Sequence, residues 1–128
     1  MGAAAVVAND RIVGQCPNHM IPSPTGSPMP APPMPFAAPL KGSLASTVTI
    51  TGKKAAVQGS TGRNMPVHPG LHASDPFAAT KPQEGRVVRG SSTVFFDGKP
   101  AAYTGCTVTC CTVPGQITGT AVTVEVAP

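Results

Sequence analysis

Seven side chains in this sequence carry the nitrogen or sulfur donors that a borderline metal ion takes: Cys16, His19, His68, His72, Cys106, Cys110 and Cys111. They fall in three short stretches, "CPNH" from Cys16, "HPGLH" from His68 and "CTVTCC" from Cys106. A chance distribution would scatter such residues over the chain, so their confinement to three places points to one shared site. Register from the glycine that closes each return strand, Gly14, Gly59 or Gly105, sharpens this. His19 lies five residues after Gly14, Cys110 five after Gly105, and His68 nine after Gly59. Three ligands are therefore expected to converge. A closed structural zinc site takes four tetrahedral N or S ligands. His72 is the choice for the fourth, with Cys16 as its rival, so the expected set is His19, His68, His72 and Cys110.

Other uses of these residues fit less well. Iron–sulfur ligation lacks a four-thiolate spacing. A Cys16–Cys106 disulfide would need an oxidising medium, and Cys106 and Cys111 read as buried free thiols. A catalytic zinc needs an open coordination position and a nearby acid or base. Only five carboxylates exist, and only Asp75 lies near the ligand stretches, where it is expected to open a turn before Pro76. No catalytic residues are expected, and the chain does not read as an enzyme.

The elements that must position these ligands repeat. "STVTITGKKAAVQGS" (Ser46–Ser60) and "STVFFDGKPAAYTGC" (Ser92–Cys106) match without a gap at eight of fifteen positions. Each reads as a β-hairpin: a β-branched or aromatic run, a turn at Gly52 or Gly98, and a return strand. The paired alanines (Ala55 and Ala56; Ala101 and Ala102) would let neighbouring copies approach closely at a common axis. "AAVVANDRIVGQC" resembles a return half closing on Gly14, and "GTAVTVEVAP" an outgoing half. The chain thus divides into a partial repeat at 1–14, a Pro-rich connector at 15–43, a repeat at 44–60, a connector at 61–89, a repeat at 90–106, a connector at 107–118 and a closing strand at 119–128. First and last strands are expected to pair, closing a pseudo-three-fold ring without open edges.

Composition agrees with this all-β reading. Fourteen Gly and sixteen Pro in 128 residues oppose helices. With four Phe, one Tyr and no Trp, the core rests on Ala and Val, so it is thin and would gain from a staple. The basic residues are Lys41, Lys53, Lys54, Arg63, Lys81, Arg86, Arg89 and Lys99 besides Arg11, and they are scattered along the chain. They form no stripe interleaved with aromatics, which argues against nucleic acid. Met1–Ala8 is apolar but lacks a basic leader and is cut short by Asp10 and Arg11. It reads as neither signal peptide nor membrane span, and synthesis in a reducing cytoplasm is expected.

The segments "GKKAAVQGS" and "GSSTVFFDGKPAAYTG" resemble the PAAR repeat, named for a Pro-Ala-Ala-Arg motif that here reads Pro100-Ala101-Ala102-Tyr103 and Lys54-Ala55-Ala56-Val57. The arginine is replaced in both copies. The Asp that follows the closing glycine in the family is matched to Gln15, Ser60 and Cys106. The resemblance spans Ala3 to Val126. It implies a small cone of three β-hairpin repeats with irregular Pro/Gly-rich connectors, holding structural zinc through three histidines and one cysteine: His19, His68, His72 and Cys110. It further implies one copy capping the trimeric spike of a contractile injection system, either a type VI secretion machine or a phage-tail-like particle. Such a tip is assembled in the bacterial cytoplasm, delivered outside the cell or into a target cell, and touches the target membrane only transiently. Two other functions compete. Pro22–Pro39 has proline-x-x-proline spacings, so the chain could be an interaction module for an aromatic groove, although Phe36 and Leu40 could instead anchor the tract as a packed strap. A small zinc hydrolase is the other.

Overall fold

The structure, a computed structural model, describes residues 2–17, 19–65, 67–78, 83–111 and 113–128. Its described residues form strands and turns with no helix. In chain order the strands are β1 (Ala3–Ala5), β2 (Arg11–Cys16), β3 (Met20–Pro22), β4 (Pro28–Pro30), β5 (Met34–Gly42), β6 (Thr49–Ile50) and β7 (Lys53–Lys54). There follow β8 (Thr61–Arg63), β9 (Glu84–Arg89), β10 (Phe95–Phe96), β11 (Lys99–Pro100), β12 (Thr107–Cys110), β13 (Val113–Ile117) and β14 (Ala121–Val126).

The two repeats fold as the hairpins β6–β7 and β10–β11. Their turns, Thr51-Gly52 and Asp97-Gly98, have positive φ at both positions, 52° and 83° in one and 52° and 76° in the other. That is the turn geometry whose twist matches a two-residue hairpin, and it is why glycine recurs there. The third hairpin is made from the chain ends: β1 pairs with β14, Ala3 opposite Val126.

Each hairpin leads into a short segment, and the three segments bond to one another in a cycle. The amide of Val6 donates to the Ala102 carbonyl, that of Ala102 to Ala56, and that of Ala56 back to Val6. Bridges Ala5–Tyr103, Val7–Ala55 and Val57–Ala101 flank this cycle. A triangle of backbone this tight favours small side chains, and five of its six paired positions are alanine (Ala5, Ala55, Ala56, Ala101 and Ala102) with Val6 the sixth, all fully buried.

The ring corrects one register. The closing left-handed positions are Asn9 (φ 71°), Gly59 (φ 95°) and Gly105 (φ 87°), not Gly14. Their amides donate to Leu40, Val87 and Ile117 in turn. "AVVAND" is therefore the partner of "AAVQGS" and "AAYTGC", and Asp10, rather than Gln15, is equivalent to Ser60 and Cys106. Asn tolerates the left-handed region better than other non-glycine residues, which hid this equivalence behind a missing glycine. Asp10 works as its position requires: Oδ2 accepts from the amides of Val7 (2.9 Å) and Thr120 (3.0 Å), as Ser60 Oγ accepts from Val57 (3.0 Å).

The connectors are more regular than their Pro and Gly content suggests. Each supplies a hairpin, β2–β5, β8–β9 and β12–β13, and the six strands close into one barrel. Ring closure at β1–β14 and barrel closure are thus separate features. The proline tract is built into this sheet work. Pro28–Pro30 pairs with Met20–Pro22, and Phe36 and Leu40 on β5 are buried in the barrel core. Two apolar clusters result. One, around Ala5, Val7, Ile50, Val57 and Val126, lies on the hairpin side of the ring; the other fills the barrel, from Val6, Ala56 and Ala102 to Cys16, Cys110 and Cys111.

Candidate metal centre

The ring end fixes where the three outgoing barrel strands start, and their far ends carry the donors. Cys16 ends β2, His19 follows it, His68 lies beyond β8, and Cys111 follows β12 directly. Cys16, His19, His68 and Cys111 are all buried, and one ligand atom from each lies within 4.8 Å of every other. Two thiols and two imidazoles at this separation fit a tetrahedral S₂N₂ set.

The histidines are oriented from behind. Asp75 Oδ2 lies 3.1 Å from His19 Nδ1, with side chains 1 % and 3 % exposed. Asp75 also accepts from the amides of Met20 (2.8 Å) and Phe77 (2.7 Å). With the Nδ1 proton donated to the Asp75 carboxylate, Nε2 of His19 holds a free lone pair, and that atom is buried with no hydrogen-bond partner among the described residues. An orphaned buried nitrogen is costly unless something else takes it, and the carboxylate–histidine pair is the usual support behind a metal ligand. His68 has its amide bonded to Gln83 Oε1 (2.8 Å), while Asn64 Nδ2 lies 3.3 Å from its Nδ1. Its Nε2 faces Cys111 Sγ at 3.7 Å. The two rings stack at a tilt, centroids 4.6 Å apart, and Phe77 meets the His19 ring edge-on at 5.3 Å.

Electrostatics follow from burial. Desolvation, with a hydrogen bond to Cys111, pushes the Cys16 thiol up to about 12. Burial likewise raises Cys110 to about 12, and raises Cys111 and Cys106. Burial and then the neighbouring His19 hold His68 below its ordinary value, which favours the neutral, ligating imidazole. For Asp75 burial acts upward, but the amides of Met20 and Phe77 and the His19 contact outweigh it, and the carboxyl stays below the usual range.

Of the four expected ligands the structure brings together His19 and His68, and it joins them to Cys16 and Cys111 rather than to His72 and Cys110. His72 is committed elsewhere. Its Nδ1 accepts from Ser74 (Oγ 2.8 Å, N 3.0 Å) and its Nε2 donates to the Gly26 carbonyl at 3.0 Å, tying its loop to the turn between β3 and β4. Cys110 and Cys111 differ by a backbone twist. Consecutive strand residues point to opposite faces, so a straight β12 with Cys110 inside would send Cys111 outward. At Cys111 φ is 47°, and this left-handed step returns its thiol to the interior. Cys110 lies outside the four-donor cluster, beside Cys16 and against Gly14, where an added Cβ would meet its Sγ at 2.7 Å. Cys106 is buried at the ring end of the barrel, and no disulfide links any of the four cysteines. The Asp75 turn foreseen before Pro76 is present through Phe77. Its reach to His19, 56 residues away, was the unforeseen part. The one available signal was that Asp75 is the single carboxylate near the ligand stretches.

No protein-family model matches the chain, and no curated protein matches it.

Proposed function

We propose that this chain is a metal-clamped, PAAR-like tip: a structural zinc protein that caps the trimeric spike of a contractile injection system. The observation that carries the proposal is the cyclic triangle of Val6, Ala56 and Ala102. A single chain that builds three equivalent hairpins around one axis presents a three-fold face, and such a face suits a three-fold partner bound one copy per trimer. From that face the three barrel hairpins run to the opposite end, where Cys16, His19, His68 and Cys111 would close the fold. The ligand set departs from the three-histidine, one-cysteine pattern that the resemblance implied.

A structural role for the centre is supported by its donors. Cys₂His₂ is a closed set with no position left for substrate. The single nearby carboxylate, Asp75, is engaged by His19, Met20 and Phe77 and is not free to act as a base. Bound zinc would neutralise two thiolates in a barrel whose core is mostly Ala, Val and Cys. In small zinc domains such binding contributes about 10–16 kcal/mol, against about 5–15 kcal/mol for the whole stability of a typical domain. Delivery by sheath contraction would use a rigid end for piercing and need no catalysis.

Co-purification with a trimeric spike protein tests the role, with one copy per trimer expected. Three copies per trimer, or no complex with any such spike, would reject the cap.

A further inference from the structure

Tertiary structure gathers charges that the sequence scatters. On the barrel's outer surface Arg11 (β2), Lys41 (β5), Arg63 (β8) and both Arg86 and Arg89 (β9) lie on four adjacent strands, and all are exposed. The strands that complete the barrel, β12 and β13, carry no charged residue. Glu84 is the one carboxylate on these strands against five cations; it is paired with Arg86 at 3.2 Å and contributes to the wall of the larger cleft on this face. Among the described residues Arg11, Lys41, Arg63 and Arg89 have no ion-pair partner, and the first three lie on the adjoining strands β2, β5 and β8.

Arg11, Lys41 and Arg63 border two clefts that share the walls Pro39, Lys41 and Met65. The larger, about 420 Å³, runs along the β5–β8 seam between Lys41 and Arg63, and the second, about 300 Å³, continues towards Arg11. Lys41 is aimed by a β-bulge. Leu40 faces Gly62 and Gly42 faces Thr61, so Lys41 is the unopposed extra residue. The bulge needs Gly62, because a Cβ there would lie 2.1 Å from the Pro39 carbonyl oxygen. The same irregularity recurs at the β9–β12 seam, where the extra residue is Val88. One architecture is thus repeated, but only the β5–β8 seam puts a cation on it. Met65, 59 % exposed, supplies an apolar wall beside the charges.

We infer that this seam is a docking site for an acidic polypeptide segment carrying aliphatic side chains between its carboxylates. Charge complementarity sets the sign of the ligand. The Met65 and Pro39 walls between the cations favour a peptide over a nucleic acid, since no aromatic side chain lines either cleft to stack a base. Every barrel strand is paired on both sides, so the segment is held by side chains and not by strand addition. Because the bulged residue is a cation, Lys41, at the β5–β8 seam and an apolar residue, Val88, at the β9–β12 seam, the occupant is present once per chain and does not share the symmetry of the three-fold face. This site is independent of the cap and of the metal centre.

A fluorescein-labelled peptide of about twelve residues alternating Glu and Leu is the probe, titrated by anisotropy against the full metal-loaded chain. Binding that weakens with added salt is expected. The double reversal Lys41→Glu/Arg63→Glu should weaken it at least about tenfold, a change of about 1.4 kcal/mol. The matched reversal Lys53→Glu/Lys99→Glu, on the hairpins, should leave it within about twofold, and thermal melts should be alike for all three proteins. Absence of binding, or equal losses from the two reversals, overturns the proposal. So does a labelled single-stranded RNA that binds more tightly than the peptide and loses affinity with the same Lys41 and Arg63 reversals.

Discussion

The two ends of the barrel solve opposite problems. At the ring end three equivalent segments meet through backbone hydrogen bonds, and the side chains need only be small: Ala55, Ala56, Ala101 and Ala102 are fully buried. At the ligand end nothing is equivalent. Cys16 comes from a strand end, His19 and His68 from loops, and Cys111 from a left-handed step. The three ring segments bond to one another through backbone, whereas the ligand end buries His19 Nε2 with no partner among the described residues. One end is a folding solution that stands on backbone; the other gathers donors that could hold a metal ion.

The largest effect expected from breaking this contrast is at the ligand end. Cys16→Ala or Cys111→Ala should abolish stoichiometric zinc and melt the protein, as should a strong chelator acting on the unaltered chain. His72→Ala and Cys110→Ala should keep the metal, with Cys110→Ala costing about 1 kcal/mol in lost packing. Elemental analysis with thermal melting distinguishes the two groups. If Cys110→Ala loses zinc and Cys111→Ala keeps it, the ligand set is wrong.

At the ring end the expected effect is smaller and metal-independent. Ala102→Leu forces a larger side chain into the triangle and should cost about 3 kcal/mol by overpacking, read from denaturant melts, with zinc still bound at one equivalent. A loss of zinc in that variant would show that the two ends are coupled.

Acid should separate them most gently. Burial holds the Cys16 and Cys111 thiols protonated in the metal-free protein, so binding expels two protons. Apparent affinity should therefore fall about a hundredfold for each pH unit lost. His68 is depressed from its ordinary 6.5, so below that pH the unfolded chain takes up a proton that the folded chain resists. Its contribution is present above 6.5 and is lost as pH falls. Asp75, depressed from 3.8, acts with the same sign in a lower window, its stabilisation lost as pH falls through its folded value. Competition with a chromophoric chelator at stepped pH measures this, and a flat profile would exclude the thiols as ligands.

Much of the fold was legible because it is local. Gly52 and Gly98 mark hairpin turns, the doubled alanines mark close approach, and the repeat displays both twice. The pairing of β1 with β14 followed from the half repeats at the chain ends. The first unit's register was not legible, since Asn9 does at φ 71° what glycine does in the other two. Nor was the charged seam, because Arg11, Lys41 and Arg63 are far apart in sequence and meet only when β2, β5 and β8 lie side by side.

The chain's residues thus determined on their own that this protein is all-β, three-unit, rich in metal donors and dependent on a small-residue axis, since period, turn chemistry and side-chain size act over a few residues. Which donors share a site was decided only in three dimensions. Whether His72 or Cys16 joins His19 depends on a loop finding Ser74 and Gly26 as partners, and whether Cys110 or Cys111 turns inward depends on one backbone dihedral. Spacing in sequence carries neither of those facts.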